Sequence, residues 1–266
     1  MLRSHIIVAW RNIKKNKGHS ALNILGLAVG MAAFVLIMLF VRTELSYDRF
    51  HENAKNIYRV VQEQPGNVYL GSNLFAVTPG PLAGAMVQDF PEVLKATRID
   101  DWRDVLVRTG EQTFLEKRVH WTDPQTFEIF SFPVIRGDGG SALKDPYSVL
   151  LSESAAARFF GDTDPVGRTI IMQAFEMNSE FRVAGVFRDI PANSHFRMEI
   201  VAPFETMGKI QQTDLTRWGS NSYYTYILLR DGTDPQTLEA KLVPFIAKYE
   251  AERGWKHDGR HSRYFL

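Results

Sequence analysis

The chain contains no cysteine among its 266 residues. No disulfide can brace it, so its stability must come from a packed core. Acidic residues are missing from the first 20 positions, where Arg3, Arg11, Lys14, Lys15 and Lys17 supply five positive charges. The net charge of +1 hides this asymmetry. With 31 basic and 30 acidic residues in all, the chain beyond position 20 is net acidic. That balance argues against a nucleic-acid partner for the later region.

Recognisable catalytic chemistry is also missing. There is no GxxxxGK[ST] loop to cradle nucleotide phosphates and no GxSxG nucleophile turn. His51-Glu52 opens a zinc-protease pattern, but position 55 is Lys, so the second ligand is lacking. His257 and His261 are four apart in a polar, glycine-containing stretch, where solvated histidines are the plainer reading. Asp100, Asp101 and Asp189 read as turn carboxylates without a partner histidine. Asn193-Ser194-His195 reads as a hydrogen-bonded loop. The sequence therefore predicts no catalytic, metal or cofactor site.

What is present is one long apolar run, Ala21 to Val41, ALNILGLAVGMAAFVLIMLFV. It holds no charge and only Asn23 as a strongly polar side chain. As a helix it would extend about 31 Å, the thickness of a bilayer's hydrocarbon core. Its Leu, Ile, Val and Phe residues contribute about −4 to −7 kcal/mol on an insertion scale, which outweighs one Asn near an interface. A buried core helix would carry a polar face, and this run has none. The basic flank before it predicts a cytoplasmic N-terminus, with everything after Val41 outside. A cleaved signal peptide would need a shorter apolar core and a small-x-small site, which Leu39 to Glu44 does not offer.

Residues 2–17 place Leu2, Ile6, Ala9 or Trp10, and Ile13 at helical spacing. Such a helix would lie in the inner headgroup layer, with Trp10, Arg11, Lys14, Lys15 and Lys17 at the membrane interface and lipid as its partner; the alternative is a basic topology signal with no further role. Lys17 to Ser20 would form the elbow, with Ser20 as cap. Within the run, Gly26 and Gly30 form a GxxxG, and Ala28 and Ala32 repeat the small-residue spacing, so this segment can pack closely on another helix.

The remainder alternates in texture. Ile57 to Gln64 reads as a strand, Thr78 to Val93 as a helix capped by Thr78, and Leu94 to Ile99 as a strand. From Asp101 the pattern turns β-rich. A hairpin is expected at Val105 to Arg108 and Thr113 to Trp121, a Phe-rich helical turn at Pro124 to Phe132, and a strand at Ser148 to Leu151. A helix from Ser152 to Gly161 and strands at Thr169 to Gln173 and Phe181 to Phe187 complete it. Beyond Phe196 come strands at Met198 to Ala202 and Tyr223 to Leu229, a helix at Pro235 to Tyr249 capped by Asp234, and a last strand opening at Tyr264.

Several segments carry a resemblance. Ala9-Trp10-Arg11-Asn12, Asn23 to Gly30, Glu44 to His51 and Ile57 to Val60 are similar to the N-terminal region of MacB/FtsX-type ABC transporter permeases. So are Asp89 to Val93, Phe130 to Pro133, Leu151 to Ala156, Phe160-Gly161, Asp164 to Gly167 and Pro191 to Phe196, in the same order. The resemblance implies an α+β architecture. One N-terminal transmembrane helix (21–41) follows a cytoplasmic segment (1–20). It precedes a periplasmic core domain (42–266). There a porter-like β/α subdomain (57–100 and 193–266) is interrupted by a β-rich, Sabre-like subdomain (101–192). It also implies a permease in the inner membrane that dimerises or pairs with a second permease and works with an ABC ATPase subunit. ATP-driven motion would pass to the outer domain for efflux or export, in some members through a periplasmic adaptor or outer-membrane channel. ATP hydrolysis would belong to the ATPase.

The chain departs from the family pattern in having one span where four are usual. The expectation is a fragment or truncated product whose last porter strand is missing, leaving an open sheet edge near Tyr223 to Leu229. A single-span sensor or ligand-binding module is the alternative function, and an anchored hydrolase the third.

Overall fold

A computed structural model describes residues 5, 10–11, 13–64, 71–174, 177–252 and 263–266. The chain divides into two compact units, Met1–Asp48 and Arg49–Leu266. His257 and His261 lie outside the described residues.

The first unit is built on helix α1, Lys17–Leu45, of 29 residues, none of them buried. It overruns the apolar run at both ends. Ser20 is not its cap: its N–H donates to Asn16 O at 2.9 Å, inside the first turn. The bend falls at Asn16, after helical Ile13 to Lys15. At the other end the Thr43 hydroxyl donates back to Leu39 O at 2.9 Å, so this polar side chain is satisfied within the helix.

The second unit is organised by a twelve-stranded sheet. In chain order its members are β1 (Ile57–Arg59), β4 (Val77–Pro79), β5 (Val93–Trp102), β6 (Val105–Thr109), β7 (Gln112–Glu116) and β8 (Val119–Thr122). There follow β9 (Val134–Gly137), β10 (Ser148–Ser152), β11 (Thr169–Ala174), β12 (Met177–Phe187), β13 (Ile200–Pro203) and β14 (Asn221–Leu229). The spatial order is β1-β14-β5-β8-β13-β10-β12-β11-β6-β7, with β4 on β14 and β9 on β12. Among the described residues only β10–β12 and β13–β8 pair in parallel. Strand β10 lies between β13 and β12 with all five residues buried, as a strand covered on both faces requires. A small second sheet joins β2 (Val61–Glu63), β3 (Leu74–Phe75) and β15 (Arg263–Phe265).

Several expectations change here. Ile57 to Gln64 is not one strand. It breaks at buried Val60, whose N–H goes to Thr225 O at 2.9 Å, and β1 and β2 enter different sheets. Thr78 does not cap a helix. It lies in β4, fully buried, with its hydroxyl 2.7 Å from that of Thr225, and helix α2 begins only at Leu82, running to Asp89. The expected second hairpin arm also divides. Residues 112–116 form β7, while residues 119–122 cross to pair with β5 and β13. Strand β14 is interior, held by β5 on one side and by β1 and β4 on the other, so it presents no open edge.

The remaining helices pack on the sheets. They are α3 (Thr126–Ile129), α4 (Gly139–Ala142), α5 (Glu153–Phe160), α6 (Phe204–Ile210) and α7 (Pro235–Glu252). Ser152 caps α5 through its hydroxyl to Ala155 N, and Gly161 ends it at φ 60°. Asp234 caps α7 through Gln236 N and Thr237 N, both at 3.2 Å. Gly137 and Gly185 are register partners and let β9 and β12 approach closely: a Cβ on Gly137 would run into Ala184 O, and one on Gly185 would sit 2.6 Å from Arg136 O.

Three apolar clusters fill the unit. One draws mostly on residues 102–223 around Trp121, Phe159 and Phe181. A second joins α2, α7 and Tyr264. The third is rich in phenylalanine and gathers Ile99, Phe130, Phe132, Phe187, Phe196 and Tyr226.

Candidate functional site

On α1 the small residues fall into two stripes. At about 100° per residue, Gly26 and Gly30 share one face and Ala28 and Ala32 lie about 200° away. A Cβ added at Gly26 or Gly30 meets nothing within 4 Å. Before the helix, Trp10 is exposed and the Lys14 ammonium stands 5.6 Å from its ring centroid, one helical turn on. Arg11, Lys15 and Lys17 are likewise exposed. Of the apolar face, Leu2, Ile6 and Ala9 lie outside the described residues.

In the outer unit, three of the quoted sequence segments converge. The Glu52 N–H donates to the Ser131 hydroxyl at 2.9 Å, and the Ser131 N–H donates to His51 Nδ1 at 3.1 Å. The His51 ring lies 5.2 Å from Phe130 and 5.3 Å from Phe132. Phe130 in turn meets Phe196 at 4.7 Å and Tyr226 at 5.3 Å, both edge-on. Residues just beyond α1, the Phe-rich turn around α3 and the loop before β13 are thus one aromatic block. The first residues of the outer unit are held in its core.

The far side of this block lines a cleft of about 290 Å³. Tyr224 and Tyr226 of β14 form its floor with Ile99 of β5, and Arg59 of β1 stands at one end. Asp101 of β5 and His120 of β8, direct cross-strand partners, stand toward the other. The loop before β13 contributes His195 and Phe196; His195 Nε2 is 2.9 Å from the Tyr226 hydroxyl, fixing that ring. The hydrogen-bonded loop reading holds, with Ser194 Oγ accepting from Phe196 N at 3.2 Å.

Two ionisable groups nearby are displaced by burial. His120 is pushed down to about 4, since desolvation outweighs the Arg118 carbonyl and the Asp101 charge. Asp100, on the opposite face, is pushed up to about 6 by burial, against the hydrogen bond it accepts from Trp102 Nε1 at 3.1 Å. Asp100 and Asp101 are therefore strand residues of β5, and the turn reading is corrected. Asp189 accepts from Ser154 N at 2.9 Å and from its hydroxyl. Burial opposes ionisation there, but these bonds hold it below the usual carboxylate range. Among the described residues, no group of three or more His, Asp or Glu is placed to hold a metal ion.

Sequence reasoning missed Arg59, Tyr224 and Tyr226. Each sits in an ordinary strand pattern, and only the pairing of β1, β14, β5 and β8 brings them together.

Comparison with known proteins bears on the whole arrangement. The model of the MacB-like periplasmic core domain matches residues 20–245. Among solved structures, a domain of a protein described as a permease from Porphyromonas gingivalis is similar at 24% identity and TM-score 0.68. That match covers 82% of this chain and 91% of that one. The periplasmic region of MacB from Actinobacillus actinomycetemcomitans matches at 17% identity and TM-score 0.54, covering 80% and 91%. The extracellular domain of YknZ, a noncanonic ABC-type transporter of Gram-positive bacteria, matches at 13% and 0.52, covering 79% and 100%. At these identities the structures establish a shared fold. None of the curated proteins compared matches the chain.

Proposed function

Because the chain belongs to the MacB-like periplasmic core domain family, we propose that it acts as a permease component of an ABC transporter and passes ATP-driven motion across the membrane. The carrying observation is the grip on Phe50 to Glu52: these residues follow α1 within a few positions and are packed and hydrogen-bonded into the aromatic block. A displacement arriving at this point of the chain would be felt by the sheet rather than absorbed by a slack linker. On this reading a separate ATPase subunit hydrolyses ATP, and a second permease copy or a paired permease completes the membrane part. A periplasmic adaptor or outer-membrane channel is the partner in an efflux system. The division of the outer unit into a porter-like part and an inserted part at 101–192 belongs to the same proposal. It is supported by the apolar cluster around α2, α7 and Tyr264, which draws on no residue of 101–192.

The basic N-terminus is proposed to be cytoplasmic and the outer unit extracytoplasmic, in the inner membrane. Since the chain has no cysteine, one introduced at exposed Ser72 should react with an impermeant thiol reagent in spheroplasts, and one at Ser4 should not. The opposite pattern reverses the orientation.

The coupling itself is tested at the glycine stripe. Gly26→Leu and Gly30→Leu keep the helix apolar, and a Cβ at either position meets nothing within 4 Å. Any loss must come from a neighbouring helix. Both variants should reach the membrane at normal levels and abolish ATP-coupled transport in the assembled transporter, while Leu36→Ala retains it. Normal transport by both glycine variants would reduce α1 to a tether.

A further inference from the structure

The cleft on the sheet has no part in the coupling reading, yet it is built as a ligand site: an aromatic floor with a few polar groups placed at its ends. We propose that it binds a small aromatic monocarboxylate. The position of charge argues for this. Among the described residues the Arg59 side chain makes no ion pair or hydrogen bond, and its exposed guanidinium borders the cleft with its fork free for a carboxylate. Asp101 stands at the other end. Arg59 is in register with Tyr226 and Thr97, and Asp101 lies four residues further along β5, which is about 13 Å of strand. A carboxylate on Arg59 therefore points its body across Tyr226 and Tyr224 toward Asp101.

The body must be apolar and flat to use that floor. Tyr224, Tyr226 and Phe196 supply rings, and the latter two lie 5.4 Å apart, held by His195. His120 is neutral at physiological pH, so it adds no positive charge at the far end. Asp101 is paired with Arg103 at 3.6 Å, so the far end offers no unpaired charge to a second anionic group or to a cation, and a single carboxylate on Arg59 is the charge the cleft takes. The volume, about 290 Å³, is at the small end for ligand pockets and suits a single ring with a short acid chain.

The test uses the full chain in lipid nanodiscs with isoleucine methyl labelling, and 3-phenylpropionate as probe. The Ile99 methyl, under the cleft, should shift and saturate, while that of Ile170, buried in another cluster, stays fixed. Arg59→Gln is an exposed change on a short strand. It should leave the unliganded spectrum intact and weaken binding about tenfold, with Arg59→Lys between. The isosteric cation 3-phenylpropylamine should not displace the acid. The proposal is overturned if Ile99 fails to saturate by roughly 10 mM probe, if Ile170 moves equally, if Arg59→Gln binds as tightly as the parent, or if the amine competes. None of these outcomes touches transport in the glycine variants, so the two proposals fail separately.

Discussion

Phe34 and Phe181 are the same side chain in opposite circumstances. Phe34, midway along α1, is 63% exposed, and Phe181, in β12, is 0% exposed. The protein uses apolar residues against two solvents. In α1 they face outward all round the helix and the protein supplies no core for them. In the outer unit they alternate along strands and meet across the sheet faces. A long apolar sequence is therefore no measure of a core: what counts is whether the chain itself covers it.

The contrast is broken most sharply by truncating both rings. Phe181→Ala removes a ring packed against Trp121 at 5.8 Å and Tyr147 at 5.6 Å. It should lower the unfolding free energy of the outer unit by about 3–5 kcal/mol. Phe34→Ala should leave it within about 0.5 kcal/mol. Denaturant unfolding followed by tryptophan fluorescence measures both; equal effects would mean the two regions share one core.

A smaller effect separates the regions by charge. The apolar run of α1 holds no ionisable group, whereas the outer unit half-buries Asp100 and His120. Asp100, raised to about 6 when folded, costs the fold stability as pH climbs from its ordinary value of 3.8 toward 6. His120, lowered to about 4, does the reverse: stability falls as pH drops from 6.5 toward 4. The two oppose each other over the same window. Asp100→Asn keeps an acceptor for Trp102 and removes one side. It should stabilise the outer unit by ~1–3 kcal/mol near pH 7.5 and leave a stability that rises steadily between pH 4 and 6.5. A flat profile in the variant would show that His120 is not buried neutral.

The smallest effect concerns helix starts. Ser152 caps α5 with its side chain, whereas Asn16 precedes α1 without a capping bond. Ser152→Ala should cost about 1 kcal/mol, and Asn16→Ala should change the melting temperature of the outer unit not at all. Thermal melts of the two variants side by side decide it.

What could be read in the residues was whatever local chemistry settles. The run from Ala21 to Val41 is helical and membrane-compatible on composition alone, because no partner is needed to satisfy its backbone. Ser152, Asp234 and Gly161 announce helix ends because capping bonds and a positive φ act within a few residues. The β6–β7 turn at Gly110 is legible for the same reason, its φ of 57° being one that glycine adopts freely.

Other features depend on partners distant in the chain. The break at Val60 exists because Thr225 receives its N–H. Thr78 looks like a cap until Tyr223 O and Thr225 take its hydroxyl. Strand periodicity tells which residues share a face, but not which strand lies alongside. For that reason the composition of the cleft, with Arg59, Asp101, His120 and Tyr226 drawn from four strands, was decided only when β1, β14, β5 and β8 found their register.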